Sequence, residues 1–584
     1  MFIRLLRLSF VVLLLASGAP TAAAPMHCTI TDYGARPGDD ALDTDALAEA
    51  VRDCHQSGGG TVVVPAGTFT AGTVELLSHV TLHLQEGAVL EASTNPDDYR
   101  AVETVGYDYD TPFLYARDAE SVAIVGRGVI DGSGKAFMDM EAPHTYVGYR
   151  AEATRQGASY DPDSLTLQDG PVRPLRTGED NREGEQLRYD IMVLFLRCEN
   201  VLVEGITIRN SANWCLHING SDGARVTGVT VDNSLLIPNT DALDVTESRN
   251  VHISGCTLRS GDDGIVMGPT AGAGTHKRTE NIVVSNTIIT SRSSGIRVGN
   301  GAGGFRHIVV RGVIIRESNR GIGVFVRDEG SVEDVLFSDI QIETRLHTGW
   351  WGAGEPIHVS AIPGTEPTDV SSAEAANPFE TDDLREADIE ALGRIQNVRF
   401  SNVTATAEHG VVVYGQERGH IDDLSFENLQ LHLTDSPLAQ SYGGNFDLSP
   451  VVDPSYAVFE HDIPAFFFRG VDRLTLRDLE VAWGEGALPE YFSQAVAGKM
   501  FEDFSLDGFT GGPAHDGDAT IRLRDGSGVT VQNATATPGT GLFLRLDGVM
   551  EKGLFMNNDL RKARRAVVPA DAGFVRSGNA MPKR

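Results

Sequence analysis

One short unit recurs through most of this chain, and it restricts the possible folds more than any other feature. It reads Val201-Leu202-Val203-Glu204-Gly205-Ile206-Thr207-Ile208, then Val226-Thr227-Gly228-Val229-Thr230-Val231, then Val251-His252-Ile253-Ser254-Gly255-Cys256-Thr257-Leu258. Further copies begin at Ile282, Ile308, Val335, Val398, Leu424, Leu474 and Val529. Each is a strand, a tight bend and a second strand. The bend falls on Gly205, Gly228, Gly255, Asn286, Gly312, Asp339, Asn402, Asn428, Asp478 and Asn533. Gly, Asn and Asp tolerate the left-handed backbone that such a bend needs. The first five intervals are 23, 27, 31, 26 and 27 residues, which suits one coil of a parallel β-solenoid. The larger later gaps imply an unrecognised coil or a loop insertion. The runs are β-branched and alternate at period two, which excludes a helical repeat.

Residues ahead of the repeats read differently. Arg4 and Arg7, the mostly apolar run Leu8 to Ala16 and the small residues Thr21-Ala22-Ala23-Ala24 have the form of an export leader over 1–24. The apolar run is too short to span a bilayer, so no membrane association is expected after leader removal. Asp43 to His55 is expected to be a helix, with Asp43 as its cap, laid over the solenoid end to shield an open strand edge. Residues 25–584 are then one domain, with an N-terminal cap over about 25–80. Insertions interrupt it at about 138–190, 362–395 (helical near Leu384 to Leu392) and 433–465. Long inserts between coils tend to lie on one face and shape a groove.

Cys28 and Cys54 flank the cap and can bridge in an oxidising compartment. Cys198, Cys215 and Cys256 lie in or beside strand runs and read as small buried apolar groups. No Cys/His spacing suggests a metal site, and no cofactor is expected. The net charge of −33 argues against nucleic acid as a partner. A polyanionic partner would need a local cationic site within that field. A monomer is expected.

The chemistry-bearing segments are Pro238-Asn239-Thr240-Asp241 and Gly261-Asp262-Asp263-Gly264. Asp262 lies 21 positions after Asp241, about one coil. Neighbouring coils stack roughly 4.8 Å apart. Carboxylates set that close cannot all ionise freely, so one can stay an acid while another serves as a base. That division of labour is what glycosidic bond hydrolysis requires.

These segments resemble the polygalacturonases of glycoside hydrolase family 28. The resemblance covers about residues 30–345. Its openers are Asp32-Tyr33-Gly34-Ala35, Gly58 to Gly67 and Gly126 to Gly134, and Asn210-Ser211-Ala212-Asn213-Trp214 is similar to the family's Asn-Ser-Pro-x-Trp. The Asn-Thr-Asp and Gly-Asp-Asp pair at this spacing is its most specific part. The resemblance implies an all-β fold, a single-stranded right-handed parallel β-helix of the pectin-lyase-like kind. It implies that Asp262 is the general acid and that Asp241 and Asp263 hold and deprotonate the attacking water. It implies a pectin-like polysaccharide or oligosaccharide as partner. An inverting enzyme would set its carboxyls about 6.5–9.5 Å apart. Asn239 is placed to bond a substrate hydroxyl, and Asp244 is either a fourth groove carboxylate or a turn partner.

The chain departs from the family on the next two coils. Where the family carries Gly-His-Gly, it reads Ser293-Ser294-Gly295-Ile296-Arg297. Where the family carries Arg-Ile-Lys, it reads Asn319-Arg320-Gly321-Ile322-Gly323. Arg297, and after it Arg320 and Arg327, are the candidates for a bidentate grip on a sugar carboxylate. Trp350 and Trp351 either offer a stacking face for a sugar ring, with Glu355 and His358 at the same groove, or one of them plugs a loop against the core. The inserts point to a partly closed pocket and attack from chain ends. Two other functions suit the same fold: a polysaccharide lyase and a non-catalytic carbohydrate-binding solenoid.

Overall fold

A computed structural model describes residues 26–582, apart from 40, 104–109, 144–171, 175–187, 269–277, 328, 348–351, 364–391, 440–443, 445, 447–461 and 570–572. The leader, Trp350, Trp351 and most of the three expected insertions lie outside the described residues. Of the first insertion, Met138–Pro143 and Val172–Pro174 pair as a short antiparallel ribbon.

The rest is a right-handed parallel β-helix. Each strand pairs in parallel with its counterpart one coil before and one coil after. One sheet runs through Pro112–Arg117, Ile191–Leu196, Trp214–Asn219, Leu243–Thr246, Ile265–Gly268, Ser294–Gly299, Arg320–Val326, Ile357–Ala361 and Val411–Gly415. Its inward row is Val193, Leu216, Leu243, Ile265, Ile296, Ile322 and Ile357, all buried. Such a row stabilises by roughly 1.5–3 kcal/mol per side chain removed from water. Elsewhere in the core Phe337, Phe400 and Phe426 stack face on face, with centroids 4.8 and 4.7 Å apart.

All ten bends expected from sequence have positive φ, from 52° at Asn286 to 74° at Gly205. The gap between Asp478 and Asn533 conceals a coil, whose bend is Gly508 (φ 78°), in register with both. The gaps after Asp339 and Asn428 are insertions instead, because the strands on either side pair directly. Asn side chains at these corners bond from coil to coil: Asn402 donates to Asp339 at 2.9 Å, and Asn428 to Asn402 at 3.1 Å.

The capping helix spans Thr44–Gln56 and buries Leu47, Ala50, Val51 and Cys54 against the first coil. Asp43 stands at its N-cap, but its carboxylate does not cap the helix. It accepts from the backbone N–H groups of Arg36 (3.0 Å) and Thr70 (3.2 Å), tying the helix entry to the strand beneath. A Cys28–Cys54 disulfide pins the helix to the first strand, while Cys198, Cys215 and Cys256 are buried thiols. Closing a loop of this size constrains the unfolded chain, so a Cys28→Ser/Cys54→Ser variant should lose about 3 kcal/mol. Urea unfolding followed by circular dichroism checks this, and an unchanged midpoint would contradict it.

Candidate active site

The site forms where two turns on consecutive coils are locked together. Asn239 takes φ 58°, a conformation Asn tolerates. The Thr240 hydroxyl donates to the Ile237 carbonyl (2.9 Å) and accepts from the Gly261 N–H (3.0 Å), joining one turn to the next. Ser260 donates its hydroxyl to the Thr240 carbonyl and accepts from the Asp262 N–H. Residue 261 must be glycine, since a Cβ there would lie 2.2 Å from the Ile237 carbonyl oxygen.

This locking brings Asp241, Asp262 and Asp263 together, each offering an oxygen within 4.8 Å of the others. They are recessed, with 4, 7 and 3% of their surfaces exposed. Their nearest oxygens are thus closer than the separation of about 6.5–9.5 Å between carboxyl groups that is usual for inversion. Asp262 and Asp263 share one turn and Asp241 lies on the turn stacked before it, so the spacing between coils sets their distance.

The hydrogen bonds differ among the three. Asp262 Oδ1 accepts from the Asp263 N–H at 2.9 Å, and Oδ2 lies 3.5 Å from the Asn239 amide nitrogen. Asp263 Oδ1 accepts from the Ser294 N–H at 2.8 Å, and its Oδ2 accepts from Arg297 Nε. Burial pushes the Asp241 carboxyl well above the usual carboxylate range, and Asp244 and Asp263 push it further, against the pull of Arg297. Burial does the same to Asp244, with Asp263 and Asp262 adding to it and Arg297 opposing. Asp244 lies in the strand Leu243–Thr246 rather than at a turn, buried and within reach of the trio's charge; its Oδ2 has no hydrogen-bond partner within the protein. Burial would lower the Arg297 guanidinium, but the Asp263 and Asp241 carboxylates outweigh it and hold it above its usual range.

One outward row of the sheet carries much of this: Leu194, His217, Asp244, Val266, Arg297, Gly323 and His358 lie side by side on successive coils. His217 was not anticipated, although it shares the register of Asp244. It is buried, donates or accepts at Thr246 Oγ1 (2.8 Å), and meets the half-buried Trp214 edge to face at 5.3 Å. Burial holds it neutral, pulling its pKa down to about 3. Arg188 was also missed, and nothing in its polar surroundings marks it. It is buried and donates to the carbonyls of Ala212 (2.7 Å) and Pro238 (3.1 Å) and to Asn239 Oδ1 (3.3 Å). Asn239 is thus held between Arg188 and Asp262 at the rim of the cluster.

Arg320 and His358 correct the sequence expectation. Both are fully buried and do not line a groove. Arg320 pairs with Glu355 (Nη2 to Oε1, 2.6 Å) and sits over the Phe325 ring at 5.2 Å. Glu355 also engages His358 Nδ1 at 3.0 Å and accepts from the Ala353 N–H at 2.6 Å. Burial would raise the Glu355 carboxyl, yet Arg320 and His358 together hold it low, while burial pulls His358 down to about 4. The reason is local: every residue of Arg320–Val326 and Ile357–Ala361 is buried, so their outward face is covered as well as their inward one. Arg327, also buried, donates to Ser360 Oγ at 3.1 Å.

A family model described as glycosyl hydrolases family 28 matches residues 176–349, which contain the whole cluster. An exo-poly-alpha-D-galacturonosidase of Dickeya chrysanthemi is 26% identical over 320 residues, 52% of each chain. A probable polygalacturonase of Vitis vinifera is 23% identical over 55% of this chain and 62% of its own. The match thus spans little more than half the length of these relatives. Among solved structures, the family 28 exopolygalacturonase of Yersinia enterocolitica covers 83% of this chain and 79% of its own, with a TM-score of 0.57 at 18% identity. An exopolygalacturonase of Thermotoga maritima covers 70% of this chain and 88% of its own, with a TM-score of 0.51 at 21% identity. At these identities the structural likeness bears on the fold alone.

Proposed function

We propose that the chain is a divergent member of glycoside hydrolase family 28 and hydrolyses glycosidic bonds in a pectin-like polysaccharide, galacturonan or rhamnogalacturonan. The observation that carries this reading is the convergence of Asp241, Asp262 and Asp263 at one recessed point. In the proposed reaction Asp262 protonates the leaving oxygen as the bond to the anomeric carbon breaks. Water attacks that carbon and gives its proton to the Asp241–Asp263 side. Asp263, held from two sides by Arg297 Nε and the Ser294 N–H, is the carboxylate best placed to take that proton, since burial and crowding favour the protonated forms of Asp241 and Asp244.

The exo action in the name of the Dickeya chrysanthemi relative and the recessed carboxylates support attack from chain ends. Inversion is the reading carried by two carboxylates flanking one water. The Cys28–Cys54 disulfide supports an extracellular or periplasmic location. Among the described residues no helix is long and apolar enough to cross a membrane.

The test is a panel of polygalacturonan, rhamnogalacturonan and esterified pectin, with products followed by reducing ends, near-ultraviolet absorbance and NMR. Reducing ends without new ultraviolet absorbance are expected, appearing first as the inverted anomer. Unsaturated, ultraviolet-absorbing products would replace the hydrolase with a lyase. Binding without any product would leave a carbohydrate-binding solenoid.

A further inference from the structure

Arg297 has the position expected of a substrate grip, but its contacts give it other work. Its Nε, the nitrogen nearest the chain, is bonded to Asp263 Oδ2. The side chain keeps 18% of its surface exposed, and its partner 5%. Val266 stands opposite it on the preceding coil and Gly323 on the following one. Its carboxylate partners therefore all come from earlier coils: Asp263 and Asp262 from the preceding turn, and Asp241 from the coil before that. Asp244, in the same outward row two coils back, also feels its charge.

Four carboxyl groups thus feel the charge of the Arg297 guanidinium, and the buried Arg188 stands beside the same turns on Asn239. The next cation along the sheet, Arg320, is paired with Glu355, which also holds His358. His217, beside Asp244, is buried and neutral. Arg292, at the turn before Ser294, is buried too. An Arg beside an Asp favours the charged carboxylate by about 1–3 pH units.

We propose that Arg297 is a positioning residue that keeps the Asp263 carboxylate correctly aimed and supplies positive charge to the cluster, and that it is not the grip on the substrate's own carboxylate. The Ser294 N–H on the same strand fixes the other oxygen, so strand and side chain together clamp Asp263 from two directions. In this chain, then, the coil that lacks the family's histidine supplies a permanent charge instead of a titrating one. The proposal rests on the hydrolase reading for its kinetic consequences, but its electrostatic core does not.

The experiment uses the full chain as wild type, Arg297→Gln and Arg297→Lys. Without substrate, NMR of carboxyl-labelled aspartate follows proton uptake by the cluster. With oligogalacturonides, kcat and KM are measured across pH. In Arg297→Gln the cluster should take up protons at least about one pH unit higher. In the same variant kcat should fall about 100-fold or more, its acid limb moving up by a similar interval, with KM changed less than about threefold. Arg297→Lys should recover part of both effects, and it keeps the test open if the Gln variant does not fold. A KM rise with an unmoved acid limb would make Arg297 the substrate grip and overturn the proposal. An unmoved carboxyl titration would overturn it as well. If the wild type hydrolyses nothing, the functional reading fails, while the titration still decides the role of Arg297.

Discussion

An Asp262→Asn variant should release sugar about 10²–10⁴-fold more slowly than wild type, the range typical for loss of a general acid. Its thermal unfolding should stay close to normal. Asn keeps an Oδ1 able to accept from the Asp263 N–H, so the turn geometry survives. What it cannot do is give a proton to a leaving oxygen. The drop should be smaller for substrates whose leaving group is already a good one, because these need less protonation. Initial rates on pectic oligomers and on an activated aryl glycoside, measured alongside a melting curve, provide the check. Undiminished turnover in this variant would remove Asp262 from the acid role. Loss of the fold would show that the residue is structural.

The second large effect is on stability. Glu355→Ala should destabilise the fold by about 3–5 kcal/mol, since removing one partner leaves a buried charge without its counter-charge. Glu355 holds Arg320, His358 and the Ala353 N–H in a covered part of the sheet, with both charged side chains nearly inaccessible. Denaturant unfolding measures the loss. A β-helix can open coil by coil, so hydrogen exchange over 320–326 and 357–361 is the sharper probe. A variant as stable as wild type, with weaker substrate binding, would restore Glu355 and its partners to the groove.

These two predictions fall on either side of what the sequence discloses. The Asp trio is readable because short motifs fix it to turns whose spacing matches a coil. The corner column through Gly205 to Asn533 is readable because left-handed backbone there selects Gly, Asn and Asp. A second column of left-handed corners runs through Asn250, Asn281, His307, Asp334, Asn397, Asp423, Arg473 and Lys552, and it escapes notice. There the pairing of neighbouring coils imposes the conformation, so His, Arg and Lys are accepted at some cost. Arg320 and His358 mislead for a related reason. Alternation reveals which side of a strand faces the core only when the other side meets water. Both faces of Arg320–Val326 are covered, so a charged residue in that strand looks like surface. Arg188 gives no signal at all, because its partners lie 24, 50 and 51 residues away.

Asp241 reaches Asp262 and Asp263 across a single interval between stacked layers, and Arg297 reaches back across the next. The proposed catalytic apparatus is therefore confined to a few consecutive layers. Duplicating or deleting a whole layer elsewhere would lengthen or shorten the molecule without disturbing it. The same change between residues 241 and 297 would pull the reacting groups apart. Descendants of this scaffold can thus vary widely in size, provided that this short middle section keeps its layer count.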